Sequence, residues 1–222
     1  MKKYIEILKK CRLFEGIDED ELLKMLTCLG AKVDFYDKKY TVFREGMKVM
    51  HIGIVLSGSV QLEEVDYSGN RSIIGSFGKG ELFAEAFASA GIEAIPLSVV
   101  CAEPSEIMLI DFSRISYTCH NACCHHQRLI YNLMKDIAEK TVVFHEKIDI
   151  ISKRTTREKL LSYLNYQAKK SGKSSFTIPY DRQELADYLG VDRSGLSVEI
   201  SKLSREGMIE ARKNSFKLKA FE

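Results

Sequence analysis

Residues 181–218 read "DRQELADYLGVDRSGLSVEISKLSREGMIEARKNSFKL", and two short helices can be drawn onto them directly. In the first, from Asp181 to Leu189, the side chains of Leu185, Ala186 and Leu189 share one face. Gly190 then offers the positive φ that a tight turn between helices demands. Asp192 is placed to cap a second helix whose inner face is Leu196, Ile200 and Leu203. The same spacing turns Arg193, Ser194, Ser197 and Ser201 outward. Beyond Gly207, "MIEARKNSFKL" predicts two short strands around "RKNS", so the stretch is expected to form a winged helix-turn-helix. A helical pair serving only as a dimer or lid element would need neither the wing nor the positive charge gathered here.

That charge is unevenly distributed. Residues 151–222 hold 15 Lys and Arg against 9 Asp and Glu, a balance of +6, whereas residues 1–150 hold 18 against 22, a balance of −4. A basic module on a mildly acidic body points to a polyanionic partner for the C-terminal part. The chain of 222 residues, 45 % hydrophobic with three prolines, has room for two globular domains. No run approaches the roughly 18 apolar residues of a membrane span, and the N-terminus lacks a signal-peptide core. Six cysteines without a secretory signal then predict reduced thiols and a cytoplasmic protein with no membrane partner.

Upstream of the helical pair, Ile130, Ile137, Phe144 and Ile151 recur every seven residues, and Met134, Thr141 and Ile148 form a second sevenfold row. The alternating steps of four and three predict a long helix with a seam for a second copy of itself, although one helix packed on its own domain would show part of the same pattern. From about residue 31 to 112 the pattern changes to short β-rich pieces punctuated by glycine, such as "YTVFREG", "HIGIVLSGSVQLEEVD" and "NRSIIGSFGKGELF". Strands that short and that closely spaced predict a sandwich or rolled barrel. Residues 1–30 form a helical lead-in, opening on acids in "DEDELLKMLTCLG" and stopping at Gly30.

In this order the segments resemble a transcription regulator of the Crp/Fnr type. "RQELADYLGVDRSGLSVEISKLSREGMI" is similar to that family's DNA-binding signature, and "GKGELFAEA" resembles the loop that cradles phosphate and ribose in its cyclic-nucleotide members. The resemblance implies an α+β protein: an N-terminal jelly-roll-like β-roll sensor with its helices over 1–118, a dimerisation helix and linker over 119–151, and a winged helix-turn-helix over 152–222. It implies a non-enzymatic homodimer that binds a palindromic operator in double-stranded DNA, with RNA polymerase as a candidate partner and a small-molecule effector of unknown identity. Arg182, Gln183, Arg193, Ser194, Ser197, Lys202 and Lys213 are then the expected DNA contacts. Gly80, Leu82, Phe83, Glu85, Ser98 and Phe144 are the expected effector pocket.

Two departures bear on the effector. Ile95 and Pro96 stand where the family's nucleotide binders carry an arginine for the cyclic phosphate, and no arginine lies between Arg71 and Arg114. A phosphate desolvated without a guanidinium would be poorly compensated, so cyclic AMP is not the expected ligand. Cys11, Cys28 and Cys101 are too scattered to ligate an iron–sulfur cluster. The segment "CHNACCHHQR" (119–128) remains open. On a helix, Cys119, Cys123, His126 and Ile130 fall within about 60° of one another. They suit buried packing at the base of the long helix, a redox-sensing thiol pair, or three ligands of a metal or haem, and no metal site is expected from them alone. A regulatory module acting through proteins alone would account for the sensor but not for the basic wing.

Overall fold

The computed structural model describes residues 2–116 and 124–219. It divides into two compact units, one of Met1–Gly69 with Ile74–Thr141 and the other of Asn70–Ile73 with Val142–Glu222.

The first unit opens with helices α1 (Ile5–Leu8) and α2 (Glu19–Cys28). Three acids in the first turn of α2 complement the helix dipole, Leu22, Met25 and Leu26 face inward, and Gly30 ends the helix at φ 61°. Eight strands follow: β1 (Lys32–Tyr36), β2 (Thr41–Phe43), β3 (His51–Ser57), β4 (Val60–Val65), β5 (Arg71–Phe77), β6 (Leu82–Phe83), β7 (Ser98–Cys101) and β8 (Ser105–Asp111). They form two four-stranded sheets, ordered β1-β8-β3-β6 and β2-β7-β4-β5, which is the rolled β architecture expected from the strand spacing. Strand β3 is buried along both faces, with Ile52, Ile54, Val55 and Leu56 fully inside. Gly53 makes this possible because the Phe83 ring lies across it; a Cβ there would stand 2.0 Å from the ring. At the far end of β6, Ala84 takes the left-handed conformation (φ 63°) and starts the short helix α3 (Glu85–Ala90).

After α4 (Ser113–Ser116) comes α5 (Cys124–Ile151), a single helix of 28 residues. Leu129 and Leu133 pack into the first core, with Ile130 and Ile137 half-buried against it. Asn132 ties the helix to the lead-in by donating to the carbonyls of Leu13 (3.0 Å) and Glu15 (2.8 Å). Along another face Tyr131, Met134, Val142 and Ile148 are left exposed.

The second unit is built on α6 (Thr156–Ser171), α7 (Arg182–Leu189) and α8 (Arg193–Arg205). Capping boxes at Thr155 with Glu158 and at Asp181 with Glu184 start the first two, and Gly172 and Gly190 in the left-handed region end them. Tyr163, Leu164, Leu185, Leu189, Leu196, Ile200 and Leu203 form the core between the helices. Strands β10 (Ile209–Arg212) and β11 (Ser215–Leu218) make the expected wing. The segment "SSFTIPY", which reads as an extended link in the sequence, supplies a third strand instead, β9 (Ser175–Thr177), antiparallel to β11 with Phe176 opposite Phe216. Pairing satisfies backbone groups that a bare link would leave to solvent.

Two substitutions of one methyl group should act in opposite directions. Gly53→Ala should destabilise the protein by about 2 kcal/mol or more, because the Phe83 ring has no room to retreat. Ala84→Gly should stabilise it by about 1 kcal/mol, relieving a left-handed non-glycine residue. Urea denaturation reads both, and an unchanged midpoint for Gly53→Ala would contradict the packing described for β3.

Candidate nucleic-acid interface and effector site

Helix α8 is fixed at its start by the Asp192 carboxylate, which accepts from the Gly195 N–H at 2.8 Å and from the Ser194 hydroxyl. These two bonds, the hydroxyl first, hold the Asp192 carboxyl below the usual carboxylate range. With Leu196, Ile200 and Leu203 buried, the opposite face presents Arg193, Ser194, Ser197, Val198 and Ser201, all exposed. Ser197 and Ser201 donate back to the carbonyls of Arg193 and Ser197, so their hydroxyl oxygens remain as surface acceptors. The face is lightly polar and cationic at its N-terminal end, which suits a groove bearing donors and acceptors.

The other expected contacts are spread over this unit with differing freedom. Lys213 is exposed at the wing turn (φ 52°). Arg182 is half-buried, with its guanidinium 5.0 Å from the centre of the Phe216 ring, and burial lowers its pKa. Gln183 donates to Asp187 (2.8 Å) and Lys202 pairs with Glu199 (2.7 Å), so each must exchange a partner within the protein before it meets another. The start of α6 and the exposed side of α8 border an open cleft of ≈ 640 Å³ lined by Thr155, Arg157, Asp192, Ser194, Val198 and Lys202. Sequence reading missed this cleft, since Thr155 and Arg157 lie far from α8 along the chain.

In the first unit, Gly80 takes φ 86° ahead of β6, and Leu82, Phe83 and Glu85 are all buried. Glu85 is 4 % exposed and meets Lys140 of α5, whose Nζ lies 3.0 Å from Oε1. The same ammonium donates to the Leu82 carbonyl at 2.8 Å and lies 2.7 Å from Asp136 Oδ2. Lys140 and Asp136 were not among the residues expected at this site. Ser98 is engaged elsewhere, accepting from the Glu45 N–H (3.1 Å), and Phe144 falls in the second unit. Ile95, at the position of the missing arginine, is buried at 1 % exposure, with its N–H bonded to the Met47 carbonyl and its own carbonyl to the Gly46 N–H.

Cys119 and Cys123 lie outside the described residues. His126 is buried, with Nε2 3.1 Å from the Arg114 carbonyl, the arrangement of a core histidine. Burial pushes the Cys11 thiol up to about 12 and raises that of Cys101, so neither is poised as a thiolate. Among the described residues no three His, Cys, Asp or Glu side chains gather around a metal-sized site, and no helix is long and apolar enough to cross a membrane.

Comparison with known proteins adds two domain assignments. Residues 33–120 match the cyclic nucleotide-binding domain, and residues 158–222 match the Crp-like helix-turn-helix domain. The transcriptional activator protein FnrL of Cereibacter sphaeroides is 24 % identical over 185 residues, covering 78 % of this chain and 71 % of that protein. Human cGMP-dependent protein kinase 2 is 25 % identical over 219 residues, covering 96 % of this chain but 27 % of the kinase. Among solved structures, the c-di-GMP responsive global regulator CLP of Xanthomonas campestris superposes with a TM-score of 0.74 at 19 % identity, covering 92 % of this chain and all of that one.

The cap on α8 yields a pH-dependent expectation. Asp192→Ala should lower stability at neutral pH, because the Gly195 N–H and the Ser194 hydroxyl lose their acceptor. A depressed carboxyl stabilises the fold above its unfolded pKa of about 4 and loses that contribution as pH falls through the lower folded value. The difference between parent and variant seen at neutral pH should therefore shrink at an acid pH well below about 4. Urea titrations at both pH values check this, and a gap that stays constant on acidification would contradict it.

Proposed function

Because this chain belongs to the Crp/Fnr family of transcription regulators, we propose that it works as a homodimer reading a two-fold DNA site through Arg193 at the start of α8. The observation that carries this reading is the division of α8 into a buried apolar face and an exposed face of Arg193, Ser194 and Ser197, inside the matched helix-turn-helix domain. Arg193 is assigned to a guanine edge, where a guanidinium donates two parallel hydrogen bonds. Val198, exposed on the same face, suits a thymine methyl. Lys213 and Arg182 are assigned to phosphate, the second after leaving Phe216. Gln183 and Lys202 take secondary contacts after releasing Asp187 and Glu199. RNA polymerase is the partner through which bound protein would act on transcription, in the cytoplasm and without catalysis by the chain itself.

The dimer reading rests on α5. Met134 and Ile148 are 60 % and 59 % exposed, the exposed Ile151 and half-buried Phe144 extend the seam, and Ile130 and Ile137 border it from their packing on the first core. Apolar side chains that far out of a core at heptad spacing are accounted for by a second copy of the helix. A cyclic nucleotide is not the proposed effector, because the buried Ile95 stands where the family's nucleotide binders carry an arginine for the phosphate, and Glu85 is already held by Lys140. A module acting only through proteins leaves the exposed Arg193 and Lys213 without a role.

Binding to a selected duplex and to a scrambled one across a salt series tests the DNA assignment. Arg193→Ala should cost roughly 1–3 kcal/mol on the selected site and much less on the scrambled one. Lys213→Ala should weaken both about equally and lower the salt slope by about one. Equal losses on both duplexes for Arg193→Ala would make it a phosphate anchor and overturn the assignment.

The dimer is tested by sedimentation of Met134→Glu with Ile148→Glu, a variant whose changes lie outside the core of the single chain. It should be monomeric at micromolar concentration where the parent is dimeric, since facing glutamates would be buried as like charges. A monomeric parent, or a variant that stays dimeric, contradicts the seam.

A further inference from the structure

The first unit buries three charges together, and nothing in the DNA reading uses them. Lys140 on α5 is 18 % exposed at its side chain, Glu85 6 % and Asp136 7 %. The ammonium donates to the Leu82 carbonyl and to Glu85 Oε1, and Asp136 Oδ2 stands 2.7 Å away as a second paired carboxylate. The Phe77 ring, its centre 5.0 Å away, closes a further side. Lysine is seldom buried unless paired, and here the pairing spans 55 residues of chain. Its two acceptors on the β6–α3 turn, Leu82 and Glu85, flank the left-handed Ala84, so one side chain grips the turn on both sides of its strained residue.

We infer that Lys140 is the roll's own ligand: a positioning residue that clamps the 82–85 turn to the dimer helix and shuts nucleotides out of the site around Glu85. The inference deepens the reading of the roll as a sensor that does not take a cyclic nucleotide. Three features support it. The ammonium already donates to two oxygens of the protein and is paired with a second carboxylate. The group holds two carboxylates and one ammonium, so a phosphate entering it would meet a buried negative excess. The position that would supply a compensating arginine is the buried, apolar Ile95. Glu85 Oε2 and Asp136 Oδ2 are buried with no hydrogen-bond partner among the described residues, and a phosphate, which brings acceptors only, would leave both unmet.

The test is hydrogen exchange followed by mass spectrometry on the full chain, with no DNA present. In the parent, the peptide covering 81–90 should be protected, and adding cyclic AMP or cyclic GMP to about 1 mM should leave it unchanged. Lys140→Met should speed exchange of that peptide about ten-fold while peptides in β3 and β8 keep their protection, and Lys140→Arg should restore part of the effect. Because Lys140→Met leaves two buried carboxylates without a cation, a second variant combines Lys140→Met, Glu85→Gln and Asp136→Asn. It carries no charge in this group and should still loosen 81–90. Unchanged protection of that peptide in the neutral variant, or added protection of the parent by either nucleotide, overturns the inference. The readout involves no DNA, so a failure of the Arg193 assignment leaves this result standing, and the reverse also holds.

Discussion

A helix that reads DNA must be gripped hard on one face while the other stays bare, and the C-terminal unit is organised around that constraint. Leu196, Ile200 and Leu203 return every three or four residues, and their burial is the grip. Fully buried Leu and Ile contribute about 1.5–3 kcal/mol each, far more than any polar contact made by the exposed face. Asp192 sets where the helix begins, and so which turn carries Arg193. Gly190 allows α7 to stop two residues earlier, in a left-handed conformation that a side chain would strain. The wing completes the unit by burying Phe216 and leaving Lys213 at its tip. The same rule governs α5, whose buried Leu129 and Leu133 fix it to the first core while Met134 and Ile148 stay outside.

The roll poses a different problem, because it buries charge. Two carboxylates and an ammonium out of water cost several kcal/mol each unless geometry repays them, and removing one partner costs more than removing all three. Such a group is weak as a source of stability and strong as a source of specificity. It fixes the register of the 82–85 turn on α5, and it sets the charge that any entering molecule would meet. The strained Ala84 between the two gripped positions fits that account, since a left-handed alanine persists only where its surroundings over-determine it.

Much of this was legible in the sequence where the signal was local. The caps at Asp181 and Asp192, the stops at Gly30 and Gly190, and the inner faces of α7 and α8 follow from spacing within a turn or two. The family model matches and the β-roll with its C-terminal helix-turn-helix agree with what that spacing and the resemblance implied. What escaped was non-local. Lys140 reads as one more surface charge in "KDIAEK", because its partner Glu85 is 55 residues away and no periodicity links them. Strand β9 reads as a link because three residues carry too little alternation to declare a strand, and its pairing with β11 depends on tertiary contact. Arg182 reads in the sequence as a DNA contact, and nothing local shows that the Phe216 ring it covers lies on the wing.

The central claim is that two copies of α8 read DNA with two-fold symmetry. Hydroxyl-radical footprinting of the full chain, on a duplex recovered from random sequence by repeated selection, addresses that claim most directly. The account predicts two protected patches of inverted sequence, their centres about 10 base pairs or a whole multiple of that apart. A single patch without an inverted counterpart, or uniform protection that ignores sequence, would contradict it.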